Sequence, residues 1–310
     1  LARWNEIQRN PGRFFYDNAI MNLQGRVKLL QSATEIGMGV YSVLAQLAAE
    51  TLGIPIHKID VSHADTDNPH SDGVASSRDT ICMGTATQRA CEDLKNELIL
   101  AASMSKGGDP QEWRFEGGRV WHGEQDYAPE EIVADTSPRT GVVIGKGSWI
   151  TPRRNNPFLG VVPHWETSTA AAEVEVDPET GEVRLLKLAT VGDVGRAIQP
   201  VVCKGQLDGG AIMGLGNTFY EETVYRDGQF LNGDPLQYRL PVLEDIPEGL
   251  YSVLVENDDG PGPRGSKGMG QSGVATTAPA IGNAIYDATG VRIKELPITP
   301  EKILRALGKL

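Results

Sequence analysis

Apolar residues recur along this chain with two different periods, and the places where the period changes predict its elements. Val27 and Leu29 alternate with polar neighbours through Gln31, a strand that stops at Thr34-Glu35-Ile36-Gly37-Met38-Gly39. Val40, Val43, Leu44, Leu47 and Ala48 then follow at helical spacing, and Gly53 stands where a C-terminal cap belongs. A strand is expected near residues 56–62. After the turn-rich Asp65-Thr66-Asp67-Asn68-Pro69, the segment Ser76-Ser77-Arg78-Asp79-Thr80 opens a helix carrying Ala86, Ala90, Leu94 and Leu98. Trp113, Phe115, Val120 and Trp121 around a Glu116-Gly117-Gly118 turn predict a short hairpin. The clearest strand pair is residues 172–176 with 182–188, joined by Asp177-Pro178-Glu179-Thr180-Gly181, where glycine supplies the positive φ that closes the turn. A helix carries Val202, Leu207 and Ile212, and strands are expected near 220–225 and 250–255. Val274, Ala278, Ile281, Ile285 and Ala288 predict a helix capped by Gly290, and Thr299-Pro300-Glu301 starts a last one.

Strands and helices interleaved without a regular βαβ rhythm predict an α+β fold with mixed sheets and packed helices. At 310 residues the chain has room for one large or two ordinary domains. Residues 1–25, with Pro11-Gly12-Arg13, are expected to be an arm or linker. Residues 26–150 form a first subdomain and 151–310 a second in this reading, with the basic, proline-containing Thr151-Pro152-Arg153-Arg154 as an excursion between them. Phe158 and Trp165 are candidates for a substrate funnel, with surface packing the stronger alternative, and Arg196 contacts substrate or, equally well, salt-bridges a core loop.

A net charge of -12 and a pI near 5.0 argue against nucleic acid or an anionic membrane as partner, since both require a basic footprint. Cys82, Cys91 and Cys203 form no CxxC pair and no even framework, which suits reduced thiols and a cytoplasmic setting. The five histidines include no HExxH pair, so a metal here would have to be held by something other than this chain's side chains.

The densest chemistry lies in Gly265-Ser266-Lys267-Gly268-Met269-Gly270-Gln271-Ser272-Gly273, a glycine-rich loop running into a helix N-terminus. Open backbone amides and a helix start favour an anionic or electron-rich ligand. Tight packing alone produces the same composition. Neither the dinucleotide fingerprint nor the P-loop fits the spacing, which sets aside the common nucleotide-binding loops.

Taken in order, several of these segments resemble the molybdenum-binding subunit of the xanthine dehydrogenase and aldehyde oxidase family, in its C-terminal part. The pieces that carry the resemblance are Glu35-Ile36-Gly37-Met38-Gly39, Ser77-Arg78, Glu173-Val174-Glu175-Val176-Asp177, Asp193-Val194-Gly195-Arg196, Gly205-Gln206-Leu207-Asp208-Gly209-Gly210, Tyr238-Arg239-Leu240-Pro241, Lys267-Gly268-Met269-Gly270, and Ala278-Pro279-Ala280-Ile281-Gly282-Asn283. The resemblance implies a molybdenum-pterin cofactor (molybdopterin, or its cytosine dinucleotide) whose metal is held by the pterin. Loops of this chain would grip it. Gly37, Met38, Gly39, Tyr41 and Ser42 would be one pterin and phosphate grip, Ser76 and Ser77 a second, Gln206 a third, and Lys267, Gly268, Met269 and Gly270 the loop beside the metal. Implied partners are the N-terminal half of the molybdenum subunit, an iron-sulfur subunit and a FAD subunit, with a small aldehyde or N-heteroaromatic substrate.

Two departures stand out against that family. The chain is less than half the family's subunit length, as a split subunit of nicotinate dehydrogenase type or a fragment would be. Where the family places a glutamate base after the Lys-Gly-x-Gly loop, this chain has Gln271. A carboxamide hydrogen-bonds but accepts no proton at a useful pKa, so base assistance of about 10²- to 10⁴-fold should be missing. Either another group compensates, or the chain is a cofactor-bearing or structural subunit that no longer catalyses. A stand-alone sugar- or peptide-binding module is a third reading.

Overall fold

The computed structural model describes residues 14–71, 73–150, 155–156, 160–161 and 165–310, and the chain divides into two compact units. The first comprises residues 1–165 and 258–268, the second 166–257 and 269–310. The boundary expected at 150 therefore differs in kind: the chain returns to the first unit over 258–268 before re-entering the second.

The first unit is built on a four-stranded sheet in the order β3-β2-β1-β7, from β1 (Phe14–Asn22), β2 (Val27–Leu30), β3 (Ile59–Val61) and β7 (Val142–Ile150). β1 lies antiparallel to both β2 and β7, while β2 and β3 run parallel. Part of the expected N-terminal arm is thus a central strand. Its turn into β2 is closed by Asn22, whose side-chain oxygen accepts the amides of Gln24 and Arg26. Two helices cover the sheet. α1 (Val40–Leu52) buries Val40, Val43, Leu44, Leu47, Ala48 and Leu52, and Gly53 at φ 64 takes the left-handed cap predicted for it. α2 (Asp79–Lys106) lies against β7, its backbone closing directly on Gly145 and Gly147. A Cβ on Gly147 would stand 1.9 Å from the Ala86 carbonyl oxygen, and one on Gly145 2.2 Å from the Leu94 nitrogen. Only glycine permits that approach.

Within this core Asp17 is fully buried on β1 and accepts a 2.5 Å hydrogen bond from the Thr87 hydroxyl, while its other oxygen has no partner. Burial pushes its pKa up to about 8, against the Thr87 and Asn18 hydrogen bonds that pull it down. The unit is completed by α3 (Pro129–Thr136) and by a three-stranded antiparallel meander, β4 (Trp113–Glu116), β5 (Arg119–His122) and β6 (Gln125–Tyr127), which extends the predicted hairpin by a strand. β8 (Asn155–Asn156) and β9 (Gly160–Val161) are a two-residue pair nearby in sequence. Phe158 and the 151–154 excursion lie outside the described residues.

The second unit has a three-stranded sheet in the order β10-β11-β14, from β10 (Ser168–Val176), β11 (Val183–Gly195) and β14 (Gly249–Glu256). The predicted hairpin is present: the Asp177 carboxylate accepts the amides of Glu179 and Thr180, and Gly181 sits at φ 75. β14 joins β11 in parallel, so the sheet is mixed. α4 (Pro200–Phe219), α5 (Ser272–Thr289) and α6 (Pro300–Ala306) belong to this unit, with Leu215, Ile281, Ile285, Ile298 and Ile303 as its core. α4 and α5 meet through small residues, a Cβ on Gly214 falling 2.6 Å from Cβ of Thr277 and one on Gly273 falling 2.8 Å from the Leu207 carbonyl oxygen. The strand expected at 220–225 is reduced to β12 (Tyr225–Arg226) paired with β13 (Gln229–Phe230). Tyr220 is instead covered by the Arg239 guanidinium, 3.9 Å from its ring centre, and Arg239 pairs with Asp245 at 2.8 Å.

Candidate functional site

The predicted site residues fall into two groups. Gly37, Met38, Gly39, Tyr41, Ser42, Ser76, Ser77, Lys267 and Gly268 belong to the first unit, and Gln206, Met269, Gly270 and Gln271 to the second.

In the first unit the loop before α1 is held from within. The Glu35 carboxylate accepts the amides of Gly37 at 2.8 Å, Gly39 at 2.9 Å and Tyr41 at 3.3 Å. Burial pushes the Glu35 pKa up, but the amides of Gly39, Gly37, Tyr41 and Met38 outweigh it and hold the group below the usual value. Glu35 thus substitutes for the missing side-chain cap at Gly39. The amides of Gly37, Gly39 and Tyr41 are thus paired within the loop, with a carboxylate at its centre. What stays open is the space over Gly37, where a Cβ would meet nothing within 4 Å, and the exposed Ser42. The Tyr41 hydroxyl accepts the Ala64 amide, and its ring meets His63 edge-on.

Ser76 and Ser77 sit at φ 65 and 51, a left-handed pair that costs about 1 kcal/mol or more per residue. That turn delivers the chain into α2 with Arg78 and Asp79 both buried. Arg78 Nε donates to the Gly73 carbonyl at 2.8 Å. Asp79 is only 5% exposed, and among the described residues neither of its carboxylate oxygens has a hydrogen-bond partner. Burial pushes its pKa up to about 7, with Arg78 pulling it down and Glu35 pushing it further up. The Glu35 influence places the two loops within electrostatic reach of each other. A buried, unpartnered carboxyl beside an open glycine turn is chemically matched to a ligand edge bearing N–H groups, because such donors remove the desolvation cost. An amino-substituted heterocycle such as a pterin has that edge, whereas a phosphate does not. Lys267 is paired with Asp259 at 2.6 Å, so its charge is matched inside the unit.

In the second unit Gln271 is exposed and forms the N-cap position of α5, yet its side chain makes no cap hydrogen bond. The preceding amide, Gly270, donates to Glu166 Oε1 at 3.1 Å. Ser272, the first residue of α5, is buried with its hydroxyl unpartnered. Gln206 is half-buried on α4, one residue before the Leu207 that contacts Gly273. Met269 Sδ would lie 3.3 Å from a Cβ on Gly192. The helix start, Gln206 and the 269–271 segment therefore share one end of the α4–α5 pair. Asp193 fixes its own turn by accepting the Gly195 amide and the Asn257 side chain, while Arg196 and Trp165 are exposed. Glu166 was missed because the carboxylate meets Gly270 from 104 residues away, and no local pattern reports that.

The sequence profile of the molybdopterin cofactor-binding domain matches residues 16–247. The chain belongs to the molybdopterin cofactor-binding domain family. A probable hypoxanthine oxidase of Escherichia coli (strain K12) is 34% identical over 281 residues, covering 89% of this chain and 28% of that protein. The aldehyde oxidoreductase molybdenum-binding subunit of the same organism is 32% identical over 288 residues, with 91% and 37% covered. Among solved structures, quinoline 2-oxidoreductase from Pseudomonas putida 86 superposes with a TM-score of 0.79 at 22% identity, covering 99% of this chain and 43% of that one. The resemblance carried by the ordered motifs and the α+β class with mixed sheets are both borne out. The chain spans about a third of the length of the curated relatives it matches. Their names are those of an oxidase and of a molybdenum-binding oxidoreductase subunit. Among the described residues of this family member, no helix is long and apolar enough to cross a membrane.

Proposed function

We propose that this chain is a cofactor-gripping part of a cytoplasmic molybdenum hydroxylase that oxidises an aldehyde or an N-heteroaromatic ring using a water-derived oxygen. When bound, the molybdenum-pterin cofactor, as molybdopterin or its cytosine dinucleotide, supplies the oxygen-transfer and electron-accepting chemistry. In this reading the remaining half of the molybdenum subunit and separate iron-sulfur and FAD subunits complete the complex. The observation that carries the reading is Asp79, a buried carboxyl with no hydrogen-bond partner among the described residues, set behind two left-handed serines inside the family-matched region. Ser76, Ser77 and Asp79 would hold the donor edge of the pterin. Gln206, the Gly270 segment and the Ser272 hydroxyl supply polar groups at the start of α5.

Gln271 hydrogen-bonds and orients, and it takes no proton. A carboxylate is nonetheless present at this helix start, because Glu166 reaches the Gly270 amide. In the catalytic reading Glu166 accepts the proton that a glutamate at 271 would take. The second reading, a cofactor-bearing subunit that has lost or altered its activity, is favoured by Gln271 alone.

The test is to purify the complex, measure molybdenum and released pterin, and assay aldehydes and N-heteroaromatics with dye acceptors. Absence of molybdenum and pterin from the intact complex refutes the reading. If both are present, Glu166→Gln separates the two forms: a loss of 10²-fold or more in kcat supports catalysis through Glu166. Inactivity of the parent that only Gln271→Glu relieves supports the second form.

A further inference from the structure

The sheet of the second unit is one strand short along part of β11. β10 accompanies β11 from Val183 onward, but β14 joins only at Lys187, opposite Gly249. Among the described residues Val183–Leu186 therefore has a strand neighbour on one side alone. Where β14 would continue, a groove of about 1150 Å³ opens. Leu185, Leu215, Phe219 and Ile246 give it an apolar floor, and the 244–249 segment forms its far wall.

The charge around this groove is one-sided. Seven carboxylates and two cations line it. Both cations are answered by β10, Lys187 by Glu173 at 2.7 Å and Arg184 by Glu175 at 4.0 Å. Glu182, Glu244 and Glu248 have no cationic partner among the described residues. Strand edges with apolar alternation are templates for an added strand, and a rim of like charges selects the sign of what is added.

We propose that this groove receives an extended segment of a partner polypeptide, one that alternates apolar residues with lysine or arginine and pairs its backbone with Val183–Leu186. Apolar side chains of that segment cover Leu185, Leu215 and Phe219, and its cations meet Glu182, Glu244 and Glu248. At about 3.3 Å per residue, four to five residues fill the open stretch of β11. The proposal needs no cofactor at the site described above and is independent of that reading.

The probe is a fluorescein-labelled, acetylated seven-residue peptide alternating lysine and valine, with a charge-reversed glutamate and valine peptide and a centrally proline-substituted lysine peptide as controls. Fluorescence anisotropy at low salt measures binding to the 310-residue chain, and hydrogen exchange maps protection. The lysine peptide is expected to bind at least 10-fold more tightly than either control and to slow exchange across Val183–Leu186. Charge reversal of two exposed rim residues, Glu244→Lys with Glu248→Lys, should weaken it 10-fold or more while circular dichroism stays unchanged. Equal binding of the two charge types, protection elsewhere, or no binding overturns the proposal. Protection of Val183–Leu186 that rises with the chain's own concentration and without peptide overturns it too, by assigning the slot to a second copy.

Discussion

Asp17 should make the stability of the first unit fall as pH rises, in the opposite sense to an ordinary paired carboxylate. Its folded-state pKa is raised from 3.8 to about 8, so between those values the folded chain holds a proton that the unfolded chain has released. Stability from this group is complete below pH 3.8 and is lost progressively as pH rises to about 8. At about 1.4 kcal/mol per pH unit, the ceiling on the loss by pH 7 is on the order of 4 kcal/mol. Structural relaxation and water entry lower that ceiling, so an effect of about 2 to 4 kcal/mol is expected. Asp17→Asn keeps the shape and a carbonyl oxygen for the Thr87 hydroxyl, and it removes the titration. Urea unfolding of both proteins at pH 4.5, 6, 7 and 8.5 should show the asparagine variant's relative stability at its lowest at pH 4.5, where only about 1 kcal/mol of the aspartate's contribution is already lost. The asparagine variant should gain steadily above it. A difference that stays constant within about 0.5 kcal/mol over this range, or an asparagine variant that is less stable at pH 8.5, would refute the argument.

Gly147→Ala places a methyl 1.9 Å from the Ala86 carbonyl and should destabilise the first unit by about 3 kcal/mol or more, whereas Gly205→Ala, with open space around it inside α4, should change stability by less than about 1 kcal/mol in the favourable direction; thermal melts of both check this. Glu35→Gln should cost about 1 to 2 kcal/mol at pH 7 by weakening the cap on α1. Because the folded Glu35 pKa is lowered, that difference is present above pH 4.5 and shrinks as pH falls through the folded value, which denaturation at pH 3 to 7 would show. Asp79→Leu removes the acceptor that the cofactor reading assigns to the pterin, so the purified complex should carry several-fold less pterin while the fold, read by circular dichroism, persists.

What could be read from the sequence was what is decided locally. Gly53, Gly181 and Gly290 were legible because a left-handed residue at the end of a periodic run has few alternatives to glycine. α1, α2 and α5 were legible because each buries one stripe at helical spacing. β1 was not, because its buried face reads Asp17, Ala19, Met21, and a carboxylate in that row breaks the apolar alternation. β7 was hidden for a related reason. The face it presents to α2 is Gly145 and Gly147, residues that weaken strand propensity while making the contact possible.

The candidate site divides along the same line. The turns at Gly37, Ser76 and the 268–271 loop announced themselves through composition, but what their backbone groups are paired with did not. Glu35 lies inside its own motif, and that its carboxylate pairs with the amides of Gly37, Gly39 and Tyr41 could not be read from the motif's composition. Gln271 raises the converse case. Read in sequence, it removes a carboxylate from the helix start; read in the fold, Glu166 brings one to the adjacent amide. A side chain's charge at a site is thus a property of the packed neighbourhood, not of one position in a motif. That is why Glu166→Gln, and not Gln271→Glu alone, is the substitution that tests whether a carboxylate at this helix start matters to the proposed activity.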